Sequence, residues 1–320
     1  MNRQTDSLSA GQQGVLCSGN IVYDILVRPV DRSNWGTTTF VDSIEYHVGG
    51  NGANTSWALA TLGVPVRLLG AVGRDPQGDL VLEGLRRAGV DTRAVGRTDL
   101  PTATAVVLVN QAGERQFLHR LGASRNAFAA PVRFDAPLIE GAAHYHLASL
   151  FLLPRLRAHA PGMLAEARSV GLGTSLDANW DAEGRWMRDL KPCLPHLDML
   201  FMNEDEARMI TGSSDPSVAA GVVRACGVGA AVMKLGRRGC AIYTDGREIV
   251  CPAFEVDARD TTGAGDCFVA GFLSALLRGA DWADAGRFAN AVAALSVQKI
   301  GAVTGVRSRA EVEAWMRSAR

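Results

Sequence analysis

The sequence predicts an α/β protein, with a mostly parallel sheet covered on both faces by helices and a small β-rich flap inserted into it or laid over it. Two observations carry this. From about residue 141, apolar runs of strand length alternate with helical patterns, the rhythm of parallel strands joined by crossover helices. Before that point two antiparallel signals break the rhythm, so they belong to a separate layer.

The run 15–27, VLCSGNIVYDILV, reads as one strand with a polar interruption at Ser18, Gly19 and Asn20. The stretch 37–48, TTTFVDSIEYHV, is rich in β-branched and aromatic residues and reads as a second strand. In GGNGANTSWALATLG the period changes: Ala53, Trp57, Ala60 and Leu62 fit a helix closed by Gly63. VRLLGAVG comes after it as a buried strand, and 78–88 as an amphipathic helix ending at Gly89. TATAVVLVN and RQFLHR flank a Gly-containing turn and predict a hairpin. Strands AHYHLASLFL, GTSLDAN, LDMLFMN and AAVMKLG come next, separated by helices at 155–170, from Glu204, and at 218–226. CAIYTDGREIVC reads as a second hairpin, and helices cover 264–277, about 282–298 and 308–317.

At 320 residues and 47% hydrophobic content, one large α/β domain with an ample core is expected. Residues 1–13 read as a loose polar tail with no signal-peptide core, and 14–320 as the domain, with no repeat or linker inside it. Lys plus Arg equals Asp plus Glu, 33 each, without like-charge blocks, so neither nucleic acid nor an acidic membrane has an electrostatic footprint. The apolar stretch AAHYHLASLFLLP is too short to span a bilayer. Six scattered cysteines, with no C-x-x-C pair, read as reduced residues of a cytoplasmic protein. The expected partner is a small molecule.

The chemistry concentrates in DTTGAGD, residues 260–266, which runs into an apolar helix. The first turn of a helix leaves backbone N–H groups without partners and carries partial positive charge. Gly263, Ala264 and Gly265 have little side-chain bulk, so a phosphate oxygen could approach those amides as in an anion hole. Asp266 would repel a bound phosphate. A carboxylate there makes sense if it orients and deprotonates a hydroxyl that attacks the phosphate. Alternatively, Asp266 caps the helix and the glycines make a turn.

Four further elements suit the same chemistry. In VGGNGANTS, Gly50 permits close backbone approach and Asn54 could hold two hydroxyls of a polyol, or serve as a helix cap. Asp24 interrupts an apolar strand, which suggests a polar pocket or a strand end. Asn203 ends a strand and Glu206 lies in the next helix turn, a place suited to a water-mediated Mg²⁺–phosphate network or to capping alone. In KLGRRGC, Lys234, Gly236 and Gly239 could lie against a nucleotide or form an ordinary turn.

In this order the pieces resemble the ribokinase-like carbohydrate kinases, also called the phosphofructokinase-B family. GGNGANTSWALATLG is similar to the family's first signature and DTTGAGDCFVAG to its second, and the likeness runs from about residue 14 onward. The resemblance implies a Rossmann-like three-layer core with a β lid from about 35–48 and 101–122. It implies ATP and Mg²⁺ as cofactors, and transfer of the γ-phosphate to a hydroxyl of a sugar or nucleoside. By resemblance Asp266 is the catalytic base, and Gly263, Ala264 and Gly265 form the anion hole. Asp24, Gly50 and Asn54 contact the sugar, with His119 beside it on the lid. Asn203 and Glu206 serve the Mg²⁺–phosphate network, and Lys234, Gly236, Gly239 and Asn290 the nucleotide. A K⁺ site would use Asp260, Thr262 and residues after Lys299, and lid strands pairing between subunits would give a homodimer.

Two positions depart from the pattern. Asn51 stands where ribokinases proper carry a lysine, which weakens a ribose assignment. Gly305 stands where a serine often completes the K⁺ loop. Nucleoside kinase is the nearest alternative, with Phe117 or Trp35 as a wall for a base, and a catalytically idle sugar sensor is a second. A nicotinamide dehydrogenase is excluded, because no G-x-G-x-x-G follows the first strand.

Overall fold

The computed structural model describes residues 13–32, 35–244 and 246–319. Of the tail expected over 1–13, all but Gln13 lies outside the described residues. The chain runs β1 (Gly14–Ser18), β2 (Val22–Arg28), β3 (Ser43–Gly49), α1 (Asn51–Thr61), β4 (Val66–Gly73), α2 (Pro76–Arg87), β5 (Val95–Thr98), β6 (Ala103–Val109) and β7 (Arg115–Arg120). It continues through α3 (Ala136–Ile139), β8 (Ala142–Leu147), α4 (Pro154–Ser169), β9 (Gly173–Asp177), α5 (Met187–Leu190), β10 (Met199–Asn203), α6 (Glu204–Thr211) and α7 (Pro216–Ala225). The last elements are β11 (Ala230–Lys234), β12 (Cys240–Thr244), β13 (Arg247–Cys251), α8 (Ala264–Leu276), α9 (Trp282–Ser296) and α10 (Arg309–Ser318).

Nine strands form the main sheet in the order β13-β12-β11-β10-β9-β8-β1-β4-β5. From β5 to β11 neighbours are parallel; β12 and β13 add an antiparallel edge. Strands buried on both sides need apolar cover on both, and two core clusters supply it. One joins α1, α8 and α9 to the sheet through Leu59, Phe272 and Val292; the other joins α4 and α7 through Leu164 and Val223. After β1 the chain builds outward through β4 and β5, then returns to β8 on the other side. The strand order therefore reverses at β1, and the crevice beyond the carboxyl ends of β1 and β8 is a topological switch point.

A second sheet, β3-β2-β6-β7, makes the lid. This corrects the reading of 15–27 as one strand. The chain leaves the main sheet at Gly19 and Asn20 and starts β2 in the lid, so the lid's strands include 22–28. At that exit the chain makes a close backbone crossing with α1: a Cβ on Gly19 would stand 2.5 Å from the Cα of Gly52, so the crossing requires glycine. The strand expected over 37–48 begins only at Ser43, and the short parallel strand β5 was not anticipated.

Candidate active site

Helix α8 is apolar on every face and its side chains from Asp266 through Ala275 are buried. It opens from Gly263, held at φ 71° with no side-chain cap; a Cβ there would sit 2.7 Å from Ala302. The Ala264 amide donates to the Thr261 carbonyl at 3.3 Å, whereas the Gly265 and Asp266 amides find no acceptor among the described residues. Two donors are thus left at the positive end of a buried helix.

Asp266 is buried beside them. Its Oδ1 accepts from Asn51 Nδ2 at 3.0 Å and its Oδ2 from Asn54 Nδ2 at 2.9 Å. Burial pushes its pKa up to about 7; the Asn51 and Asn54 bonds and the Lys234 ammonium oppose the rise, and the Asp177 carboxylate adds to it. The carboxylate is desolvated yet held by two amides, the condition of a group that gains or loses a proton near neutrality.

Helix α1 delivers both asparagines. Gly50 caps it at φ 92° without any side-chain bond, so Asn54 is not the helix cap that sequence alone allowed. A Cβ on Gly50 would meet the Asn20 carbonyl at 2.6 Å, and one on Gly52 would meet Gly19 Cα at 2.6 Å. These bare contacts let α1 dock against the end of β1, turning Asn51 and Asn54 toward Asp266. Asn20 locks the junction: its Oδ1 accepts from the Asn51 amide at 2.8 Å and from Ser149 Oγ at 2.7 Å. The Oδ1 of Asn54 is buried with no hydrogen-bond partner among the described residues.

The carboxyl ends of β9, β10 and β11 supply charge. Lys234 Nζ sits 2.8 Å from both oxygens of Asp177 and 3.3 Å from where a Gly265 Cβ would be. Burial works against its ammonium, but Asp177 and Glu206 outweigh that and hold the pKa above its ordinary value. Asn203 caps α6 in a reciprocal box: Oδ1 accepts from the Glu206 amide at 2.8 Å, and Glu206 Oε2 accepts from the Asn203 amide at 2.7 Å. The capping role is therefore real, and Glu206 is also buried, its pKa raised by desolvation and lowered by Lys234. Its Oε1 engages no described side chain. Among the described residues no three His, Cys, Asp or Glu side chains gather as a metal cage. Oxygen donors this sparse fit Mg²⁺ bound mainly through water and phosphate.

Lys234, Gly236, Gly239, Ala264, Gly265 and Asn290 line one cavity of ≈ 720 Å³, walled on its apolar side by Phe254, Val256, Phe268 and Val297. Asn290 Nδ2 donates to the Cys251 and Pro252 carbonyls, so it shapes the loop forming that wall.

Asp24 and His119 lie on the lid. Register places Asp24 opposite His47 on one side and Ala105 on the other, with Ala105 opposite His119. Paired residues share a face, so His47, Asp24, Ala105 and His119 form one row on the inner side. Burial pushes the Asp24 pKa up to about 7. His119 is exposed and makes no hydrogen bond to the described residues around Asp266. Phe117 shares this face through its pair with Val107, and Trp35 stands fully exposed in the loop before β3. Asp260 and Thr262, expected to serve a K⁺ site, engage the lid's Arg115 through their side chains.

Sequence reasoning therefore missed Asp177 and Arg115; it noted Asn20 only as part of a polar interruption and Asn51 only as a departure from the lysine of ribokinases, not as a partner of Asp266. Asp177 carried a signal, since an acid ends an otherwise apolar strand there, as Asn203 ends its own. Arg115 carried none, and nothing pointed from Asn51 to Asp266, because the partners are more than a hundred residues away.

A crevice at the switch point of a doubly wound sheet, beside a separate β sheet, suits a small-molecule ligand. Residues 12–309 match the pfkB family carbohydrate kinase model, and the chain belongs to that family. It is 32% identical over 300 residues to the ATP-dependent ribose-1-phosphate kinase of Halopiger xanaduensis, covering 90% of this chain and 93% of the relative. Identity to the nucleoside kinase of Methanothermobacter thermautotrophicus is 31% over 298 residues, covering 93% of each. The structure of Arabidopsis thaliana ribokinase with ribose and ATP matches with a TM-score of 0.84 at 26% identity, across 96% of this chain and 99% of that one.

Proposed function

We propose that the protein transfers the γ-phosphoryl group of ATP to a hydroxyl, a CH₂OH group in the simplest case, of a small sugar or sugar derivative. The observation that carries this reading is the Asp266 carboxylate, buried between Asn51 and Asn54 next to two unpartnered amides. ATP would supply the phosphoryl group, with Mg²⁺ offsetting phosphate charge. Glu206 is the residue to hold that ion through water, and Lys234 and the Gly265 and Asp266 amides face the transferred group. Asp266 takes the hydroxyl proton as the new O–P bond forms and the bond to ADP breaks. Gly50 and Asn54 hold the acceptor from below, the unpartnered Oδ1 of Asn54 accepting from one of its hydroxyls, while Asp24 and His119 approach from the lid. Gly236, Gly239 and Asn290 shape the cavity for the adenine nucleotide.

A second reading, nucleoside kinase, has one observation in its favour: Phe117, 54% exposed on the inner lid face, offers an unclaimed surface to a base. Coupled ADP release, measured over sugars, sugar phosphates, sugar acids and nucleosides, separates the two. Turnover confined to nucleosides would replace the sugar assignment, and none with any acceptor would turn the reading to a sugar sensor.

Homodimerisation through the lid belongs to the same proposal. The outer lid face carries the row Tyr46, Ile25, Val106 and Leu118, with Tyr46 and Leu118 exposed. A cytoplasmic setting accords with free thiols at all six cysteines. No helix of the described residues is long and apolar enough to cross a membrane.

A further inference from the structure

We propose that Arg115 of the lid is the built-in cation of the loop leading to α8, a positioning residue that ties closing of the lid to the setting of the phosphate site. The inference rests on the phosphotransfer reading of that site, but its first test does not.

Asp260 is the centre of the argument. Its side chain is only 2% exposed. Its Oδ1 accepts from the Thr262 amide at 2.7 Å and its Oδ2 from the Gly301 amide at 2.8 Å. One carboxylate thereby joins the 260–262 turn to the loop after α9. A charge buried this far needs a countercharge. Arg115 Nη1 supplies it at 2.7 Å, with its own side chain 14% exposed, and also donates to Thr262 Oγ1. Among the described residues no other cation pairs with Asp260.

The position matters because Thr262 immediately precedes Gly263, whose left-handed backbone starts α8 and fixes the Gly265 and Asp266 amides. Arg115 comes from β7, at the edge of the lid. Two other lid contacts reach the same loops. The His47 ring lies 3.2 Å from where a Gly301 Cβ would be, and Ile300 packs on the lid's inner cluster of Val22, Leu26 and Val107. Only the Arg115 contact is ionic. Lifting the lid would leave Asp260 its two amide bonds but no countercharge, so the turn before the anion hole is complete only when the lid is down. With the guanidinium in place, Asp260 and Thr262 have no need of a monovalent cation.

Hydrogen exchange on the full-length, substrate-free protein tests the latch. Arg115→Ala should speed exchange across 258–263 and 298–302 while α4 stays protected, and Arg115→Lys should restore part of the protection. Unchanged exchange at 258–263 in Arg115→Ala would overturn the proposal. Turnover with the acceptor found by the ADP-release screen tests the positioning. Arg115→Ala should lower kcat about 100-fold with little change in ATP affinity, as expected for a displaced reacting geometry. Guanidinium or K⁺ should recover part of that loss, while the unaltered protein is indifferent to K⁺. A loss that neither Arg115→Lys nor an added cation restores, or an unaltered protein that requires K⁺, would sink it. If the unaltered protein turns over no acceptor, the kinase reading fails and the exchange result still decides the latch.

Discussion

In the proposed reaction, Asp266 is the residue on which the chemistry turns. With its pKa pushed up to about 7 by burial, turnover should rise with pH through about 7 as the base loses its proton, read from kcat/KM against pH. Asp266→Asn should lower kcat about 10²–10⁴-fold while ATP still binds; near-normal turnover would refute the assigned role. Stability should move the other way. A carboxyl whose folded pKa lies above its unfolded value stabilises the fold below the unfolded pKa, near 3.8, and that contribution is lost as pH rises through about 7. Denaturant unfolding at about pH 8 should therefore find Asp266→Asn more stable than the unaltered chain by about 1–3 kcal/mol, with the difference vanishing in acid. The two trends together would mark a residue kept for function at a cost to the fold.

At the scale of elements, the site depends on how α1 and α8 meet β1. The Gly19–Gly52 crossing is backbone on backbone, so Gly52→Ala cannot be absorbed by a side chain moving aside. Overpacking there should cost about 1–3 kcal/mol in unfolding free energy. It should also draw Asn51 and Asn54 off Asp266, lowering kcat about 100-fold. A stable variant with unchanged kcat would show that the crossing serves only packing. This junction was half legible. Glycines before a helix invited the expectation of close approach, but what they approach is the polar break at Gly19 and Asn20, which sequence read as a ripple in one strand. Periodicity shows that a segment is extended; it does not show which sheet takes it.

For the whole molecule, the lid is a second sheet with two unlike faces. One face holds Asp24, His47 and His119 in a row, and the other holds Tyr46 and Leu118 in the open. If the outer faces of two copies meet, sedimentation should give a dimer for the unaltered chain and a monomer for Tyr46→Glu. A monomer in both would remove the lid-to-lid dimer. The lid's position over the crevice was not readable from composition or pattern, since β2 and β6 pair across more than seventy residues of intervening chain. Only its existence was, as antiparallel signals out of step with a parallel rhythm.

What the sequence determined by itself was local. The alternation of strands and helices, the bare glycines at 263 and 265, and the acid directly after them are set by periodicity and by the few residues that tolerate those turns. They sufficed for the α/β class and for Asp266 as the residue to watch. Tertiary structure decided everything that needs a partner from elsewhere in the chain: Asn51 and Asn54 on Asp266, Asp177 on Lys234, Arg115 on Asp260. A carboxylate's proton affinity depends on which groups surround it once water is removed, and those neighbours are chosen by packing.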